Sequence, residues 1–419
     1  MTRTVKTVSN PSADLLEVFK DRINLAMVFY CLRRDSGELV CPKYDVFDSI
    51  WLREMFLSLL GVPFLTLMTS HHTECPANSL AVHDDKLYSV GEKRVYDDSD
   101  SEDGGDSEDS DDGLGSSYSL DSHMMVWDCN NQSAISRSIL SEHANGLIVH
   151  QDRVYLYGYG NISVWDCKDW GLITDLGGHS RGVWCLTIND DTLYSGCSDS
   201  TIKVWNLSDY SLVATLESHA SSILDLVVQD DKLYSSSCDA TIKIWSCRTK
   251  ELITTLDWHK GRGMGAIVIQ NNRLYSSDDL GNITVWNCSD HRRLFYYGGA
   301  DNDVSCLAVH NDKVFGACAD GTIRVCIDVT QPGMSEPVFE TMVLEGHTDA
   351  VTFLTVHDDK LFSCSQDSTI KVWDCSDDSN RAVTLIGTLR GHTGDVTCLT
   401  VHKGKLYSAG ADGVRVWKL

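Results

Sequence analysis

The segment GHSRGVWCLTINDDTLYSGCSDSTIKVWNLSDYSLVATL starts at Gly178, and forty residues on it returns as SHASSILDLVVQDDKLYSSSCDATIKIWSCRTKELITTL from Ser218. Two further copies begin at Gly346 and Gly391, the latter running to Leu419. Weaker ones end at Trp127, Trp165, Trp286 and Cys326. One such unit is too short to bury its own apolar residues. A chain built this way must stack its copies face against face.

Within a copy, β-branched and aromatic runs such as VWCLTI and TLYSGC are strand-like. Two polar residues separate them: Asp84-Asp85, Asp190-Asp191, Asp230-Asp231, Asn271-Asn272, Asp358-Asp359, Lys403-Gly404. Asn, Asp and Gly tolerate the positive φ of two-residue hairpins. TIKVW is a third strand and SLVATL a fourth. A four-stranded unit repeating at about 40 residues is a propeller blade.

These copies resemble the Trp-Asp (WD) repeat β-propellers from Val62 to Leu419. Trp127, Trp165, Trp205, Trp245, Trp286, Cys326, Trp373 and Trp417 mark third strands, so the expected fold is all-β, an eight-bladed WD-repeat propeller with a small N-terminal α-helical segment. The chain ends on a third strand, and VPFLTLMTSHH (Val62 to His72) has the pattern of a fourth strand entering a first. A strand at 62–68 is therefore expected to close the ring and remove an open edge.

His179, Ser195, Asp199 and Trp205 recur at equal spacing as His219, Ser235, Asp239, Trp245 and as His347, Ser363, Asp367, Trp373. His392, Ser408, Asp412 and Trp417 follow with one residue fewer before the tryptophan. A catalytic triad is needed once, whereas this set is repeated. The resemblance implies a structural network in which Asp accepts from His, His bonds Ser, and Ser bonds the indole. Copies without the full set, such as that with Ala300, Gly316 and Cys326, are expected to be softer. The second has Tyr157 and Tyr159 at the Ser and Asp positions; in the fifth, Asp279 is displaced by one.

Of sixteen cysteines, Cys129, Cys167, Cys247, Cys288 and Cys375 stand two residues after the tryptophan position, one per copy. Separate copies hold them too far apart for disulfides or a shared tetrahedral metal. Cys185, Cys306 and Cys398 share a first-strand position that suits a small buried thiol. His83, His150, His310, His357 and His402 end first strands and are expected to be solvated. No metal and no cofactor is expected.

Residues 97 to 112 hold ten Asp or Glu and no basic residue. Such a block repels itself and cannot bury apolar area, so 97–119 is expected to be a disordered insertion in the first blade. Asp121 fits the turn position beyond it. Ser99, three residues before Glu102, is a candidate phosphorylation site.

Residues 1–61 precede the repeats. SADLLEVFKDRINLAMVFYCLRR spaces Leu16, Phe19, Ile23, Met27 and Tyr30 as one helical face, and DSIWLREMFLSLLG suggests a second helix. PSADLLEVF and DSIWLREMF resemble the two ends of an F-box, the helical module that docks on a cullin ubiquitin-ligase adaptor. The match is partial, with one extra residue after Pro11 and a short middle.

The net charge of −25 argues against nucleic acid and anionic membranes as partners. The most apolar run, Leu57 to Met68, is broken by Gly61 and Pro63 and falls short of the ~20 residues of a span. No secretory leader is evident, so a cytoplasmic or nuclear location is expected. The expected function is a non-catalytic protein-protein interaction scaffold, with partners docking on loop faces and the central channel. Candidate contacts are Arg181, Trp184, Trp258, Lys260, Arg262, Phe353 and Gln366, of which Trp184 and Phe353 could instead pack between blades. The alternative is a substrate receptor of a cullin-type ligase. Few arginines stand on these loops beside an acidic insertion, which disfavours a phosphopeptide and favours a basic peptide or protein.

Overall fold

A computed structural model of the full chain describes residues 66–71, 76–96, 118–140, 143–257, 263–298, 303–330, 337–376 and 382–419. The chain divides into two compact units, Met1–Gly61 and Val62–Leu419. The first lies outside the described residues, and with it the expected helices and the F-box-like ends. The described residues contain strands and no helix.

The hairpin turns show why the strands meet where they do. Asp230 and Asp231 take φ of 48° and 59°, Asn271 and Asn272 51° and 58°, Asp358 and Asp359 46° and 57°. Two consecutive left-handed residues match the right-handed twist of the flanking strands. Short polar side chains tolerate that conformation better than others. The turn sets register, so Gln229 faces Lys232 and Leu226 faces Ser235 in the fourth copy.

Burial follows the stacking. Both faces of each inner strand are covered, so Leu193–Cys197 is buried at every residue, as are Ile242–Trp245. In an outermost strand such as Leu212–Glu217 half of the residues are exposed. Eight hydrophobic clusters lie between consecutive copies among the described residues. In one, Trp245 and Leu233 pack on Tyr194 and Ile202 of the preceding copy. In another, Trp127 and Leu87 of the first copy pack on Tyr407 and Val414 of the last.

The sheet count corrects the expectation of eight separate blades: hydrogen bonding gathers the described strands into seven sheets, six four-stranded and one six-stranded. The second and third copies share one continuous strand, Leu172–Asn189, eighteen residues long. Its first part pairs within the second copy, Ile162 facing Leu176, and its last part within the third, Leu186 facing Ser195. The second copy turns tightly at Gly160, φ 86°, which brings Tyr159 opposite Gly182. That extra pairing keeps the connection extended, whereas the described connections before Ile223, Val351 and Val396 break into a loop.

Thr66–His71 pairs antiparallel with Gly413–Lys418, from Thr66 facing Lys418 to His71 facing Val414. Its bounds differ from the expected 62–68: the described strand starts at Thr66 and runs on to His71.

Two expectations about the insertion change. Lys86–Tyr96 and Tyr118–Asp128 form one long antiparallel arm in which Tyr96 faces Tyr118. Residues 118 and 119 thus belong to a strand, and Asp121 faces Lys93 inside the ladder, not in a turn. Residues 97–117, Ser99 among them, lie outside the described residues.

Candidate functional site

In four copies the repeated side chains form one geometry. Trp205 Nε1 donates to Ser195 Oγ at 3.0 Å, Ser195 Oγ lies 2.7 Å from His179 Nε2, and His179 Nδ1 lies 2.9 Å from Asp199 Oδ2. The distances in the fourth copy are 2.9, 2.8 and 2.7 Å, and in the seventh 2.9, 2.8 and 2.8 Å. In the last copy Trp417 reaches Ser408 at 2.9 Å, Ser408 reaches His392 at 2.7 Å, and His392 bonds Asp412. Each carboxylate also accepts the N–H that follows the histidine, such as Ser180 N at 3.0 Å. The loop before the first strand, or in the third copy the matching part of the Leu172–Asn189 strand, is thereby tied to the turn after the second.

Burial favours the neutral imidazole, in which Nδ1–H donates to Asp and Nε2 accepts the serine proton. Burial pushes the pKa of His179, His219, His347 and His392 down, against the hydrogen bond from each histidine to its Asp. Burial would raise the Asp367 carboxyl, but hydrogen bonds from Thr369, His347 and Thr348 N–H outweigh it and hold it at about 2.

The connectivity is that of a Ser-His-Asp triad without its accessibility. Ser195, Ser235, Ser363 and Ser408 have no exposed surface, and each hydroxyl is occupied by an indole and an imidazole. The convergence of His179, Cys197 and Asp199 likewise has another use. Cys197 Sγ bonds Arg181 O and accepts Asp199 N–H, as Ser237 does with Ser221 and Asp239.

The incomplete copies substitute other contacts. Trp286 keeps its bond to Ser276 at 3.0 Å. Beyond it, Asp278 turns inward to accept Asn282 N–H at 2.9 Å, leaving Asp279 exposed. Trp165 donates to Ser163 of its own strand at 2.9 Å. Cys326 is buried in place of a tryptophan.

A second set of contacts joins neighbouring copies through three of the first-strand histidines, which stay partly exposed to solvent as expected but also meet a carboxylate. His83 lies 3.2 Å from Asp152, His310 2.7 Å from Asp359 and His402 2.8 Å from Asp85, each partner being a turn residue of the next copy. Lys232 and Lys313 reach the carbonyls of Cys288 and Cys375, each at 3.1 Å. The thirteen cysteines described are all free.

The candidate contact residues are scattered. Arg181 and Gln366 are exposed. Trp184 is 51% exposed, with its indole donating to Ser198 Oγ. Phe353 is half-buried against the cluster of Phe362 and Val396, so packing claims part of it. Trp258, Lys260 and Arg262 lie outside the described residues.

A cavity of about 460 Å³ escaped sequence reasoning. Leu224, Met264, Ala266 and Val304 supply its apolar walls, and Asp225, Asp279, Asp303 and Cys238 its polar ones. First strands after the first copy bulge near their start, as at Ile223/Asp225, which re-aims the side chain. Asp225 Oδ2 thus accepts Ile267 N–H of the next copy at 2.9 Å, and burial raises its pKa to about 6. Burial and then the charges of Asp279 and Asp278 raise Asp303. One signal was legible: an aspartate at the first-strand position where Cys185, Cys306 and Cys398 stand.

The WD40 family, described as WD domain, G-beta repeat, matches residues 170–206, 210–246, 339–374 and 383–418. These are the four copies with the complete network. Four WD40 repeats on stacked antiparallel sheets make the chain a WD-repeat β-propeller. Proteins of this class are in general non-catalytic scaffolds that bind other proteins. Among solved structures the chain is similar to the computationally designed Ika8 protein, with a TM-score of 0.67 and 23% identity, covering 84% of this chain and 98% of that one. At that identity the likeness speaks for the fold alone. No curated protein matches.

Proposed function

We propose that this chain is a non-catalytic docking scaffold whose partners bind the face formed by the loops before the first strands and the turns after the second, and that basic segments are preferred there. The observation that carries this reading is the exposure of Trp184 and Arg181, which lie on the Leu172–Asn189 strand beside the His179–Asp199 network, residue types that dominate protein interfaces. The network below them stiffens both loop sets, so little ordering is required on binding. The net charge of −25 supports the preference for basic partners through long-range attraction.

The test is affinity capture with the full chain against its Arg181→Ala/Trp184→Ala variant, with matched thermal unfolding as the folding control. Partners retained equally by both would remove these two residues from the docking face. A second reading, a ubiquitin-ligase substrate receptor, is supported by the similarity of PSADLLEVF and DSIWLREMF to the ends of an F-box. Recovery of a cullin adaptor by the whole chain but not by one lacking residues 1–61 selects it. Absence from both rejects it.

A further inference from the structure

We propose that the cavity shared by the fourth, fifth and sixth copies is a seat for one long basic side chain, Lys or Arg, presented by a partner peptide. This deepens the docking reading and rests on it. At about 460 Å³ the cavity falls within the roughly 300–1,000 Å³ of small-ligand pockets. It has room for such a side chain and its flanking backbone.

Its chemistry matches the two parts of that side chain. Lys and Arg carry an apolar stem and a charged head, and each part seeks its own surroundings. Leu224, Met264 and Val304 offer the stem an apolar wall, while Asp279 and Asp303 stand exposed where the head would arrive. Asp279 commits Oδ2 to Gly263 N–H. Among the described residues no Lys or Arg pairs with Asp279 or Asp303. Asp225 adds negative potential deeper in, its oxygens already accepting Leu226 and Ile267 N–H.

The like charges stand close enough to oppose one another's ionisation, and a bound cation relieves that repulsion. A small metal ion fits less well. Among the described residues the groups gathered closely enough to hold one are elsewhere, at His179, Cys197, Asp199 and at His83, Asp84, Asp152. A guanidinium or ammonium head at the end of a stem spans separated carboxylates.

Cys238, the one exposed thiol among the described free cysteines, lies on the rim and reports occupancy. The full chain is alkylated with a maleimide and Cys238 is followed by peptide mass spectrometry. The probes are three acetylated Gly/Ser peptides that differ only in a central Arg, Lys or norleucine. The Arg and Lys peptides should slow alkylation and the norleucine peptide should not. Asp279→Asn/Asp303→Asn should raise the half-protecting concentration about tenfold, and each single change about threefold. Added salt should weaken protection. Equal unfolding temperatures for the variants establish that the fold is intact.

Equal protection by norleucine, indifference to the double substitution, or protection by calcium alone would each overturn the proposal. The two readings fail separately. Arg and Lys peptides that bind the chain by fluorescence anisotropy yet leave Cys238 reactive reject this seat while the docking face stands. Protection at Cys238 with capture indifferent to Arg181 and Trp184 does the reverse.

Discussion

His402 Nε2 lies 2.8 Å from Asp85 Oδ1, a contact between residues 317 positions apart. It joins the last copy to the first, and Lys403 Nζ reaches the same carboxylate, 2.6 Å from Oδ2. Nearby, Thr397 Oγ1 donates to Ala77 O at 2.8 Å, and the Trp127 cluster bridges the same seam. Closure thus has a polar rim over an apolar centre. The rim charges are solvated, so Asp85→Asn should lower the melting temperature at low ionic strength. The difference should vanish near roughly 1 M salt, where screening acts within about 3 Å. Calorimetry at two salt concentrations checks this, and a loss unchanged by salt would count against an electrostatic seam.

The Trp-Ser-His-Asp network should be worth more per residue, because it is buried. Ser235→Ala strips the indole of Trp245 and the imidazole of His219 of their partner, at about 1–3 kcal/mol. Chemical denaturation gives the number. An unchanged midpoint would mean that the hydroxyl is dispensable.

Acid should unfold the ring in two stages of one sign. His179, His219, His347 and His392 are held below the ordinary 6.5 by burial. The unfolded chain therefore binds protons more readily than the folded one as pH falls below about 6.5, and stability drops. The Asp367 carboxyl, at about 2 against an ordinary 3.8, adds a second loss below pH 4, progressing toward pH 2. Melting temperature followed from pH 8 to pH 3 should be flat at first and then fall. A rise on acidification would refute neutral imidazoles.

Gly146 is required by its neighbour. A Cβ there would lie 2.4 Å from the Tyr157 hydroxyl, so Gly146→Ala should destabilise by about 1–3 kcal/mol through overpacking. Adding Tyr157→Leu should recover part of that. A double-mutant cycle measures the coupling, and additive effects would show that the two do not meet.

Amide exchange should be faster in the sixth copy, where Gly316 and Cys326 replace the serine and tryptophan of the network, than in the fourth. Local opening tracks the interactions that hold an element. Equal protection would place the stability of both copies in the apolar clusters alone.

The forty-residue period, the Asp-Asp and Asn-Asn turns and the His, Ser, Asp and Trp spacings were legible in sequence because each is local. A hairpin turn or a strand register is set by residues a few positions apart, and repetition exposes it. The pairing of Thr66–His71 with Gly413–Lys418 lies far apart in the chain, yet a last unit one strand short already points to it.

What only the tertiary structure decided depends on separate copies meeting. The continuous Leu172–Asn189 strand follows from Tyr159 finding Gly182, and the Lys86–Tyr96 arm from pairing across an acidic insertion. The contacts of His83, His310 and His402 with the next copy's turns follow from ring curvature, as does the convergence of Asp225, Asp279 and Asp303. Each such residue is unremarkable within its own copy. Its neighbours are supplied by packing between sheets, which a local pattern does not encode.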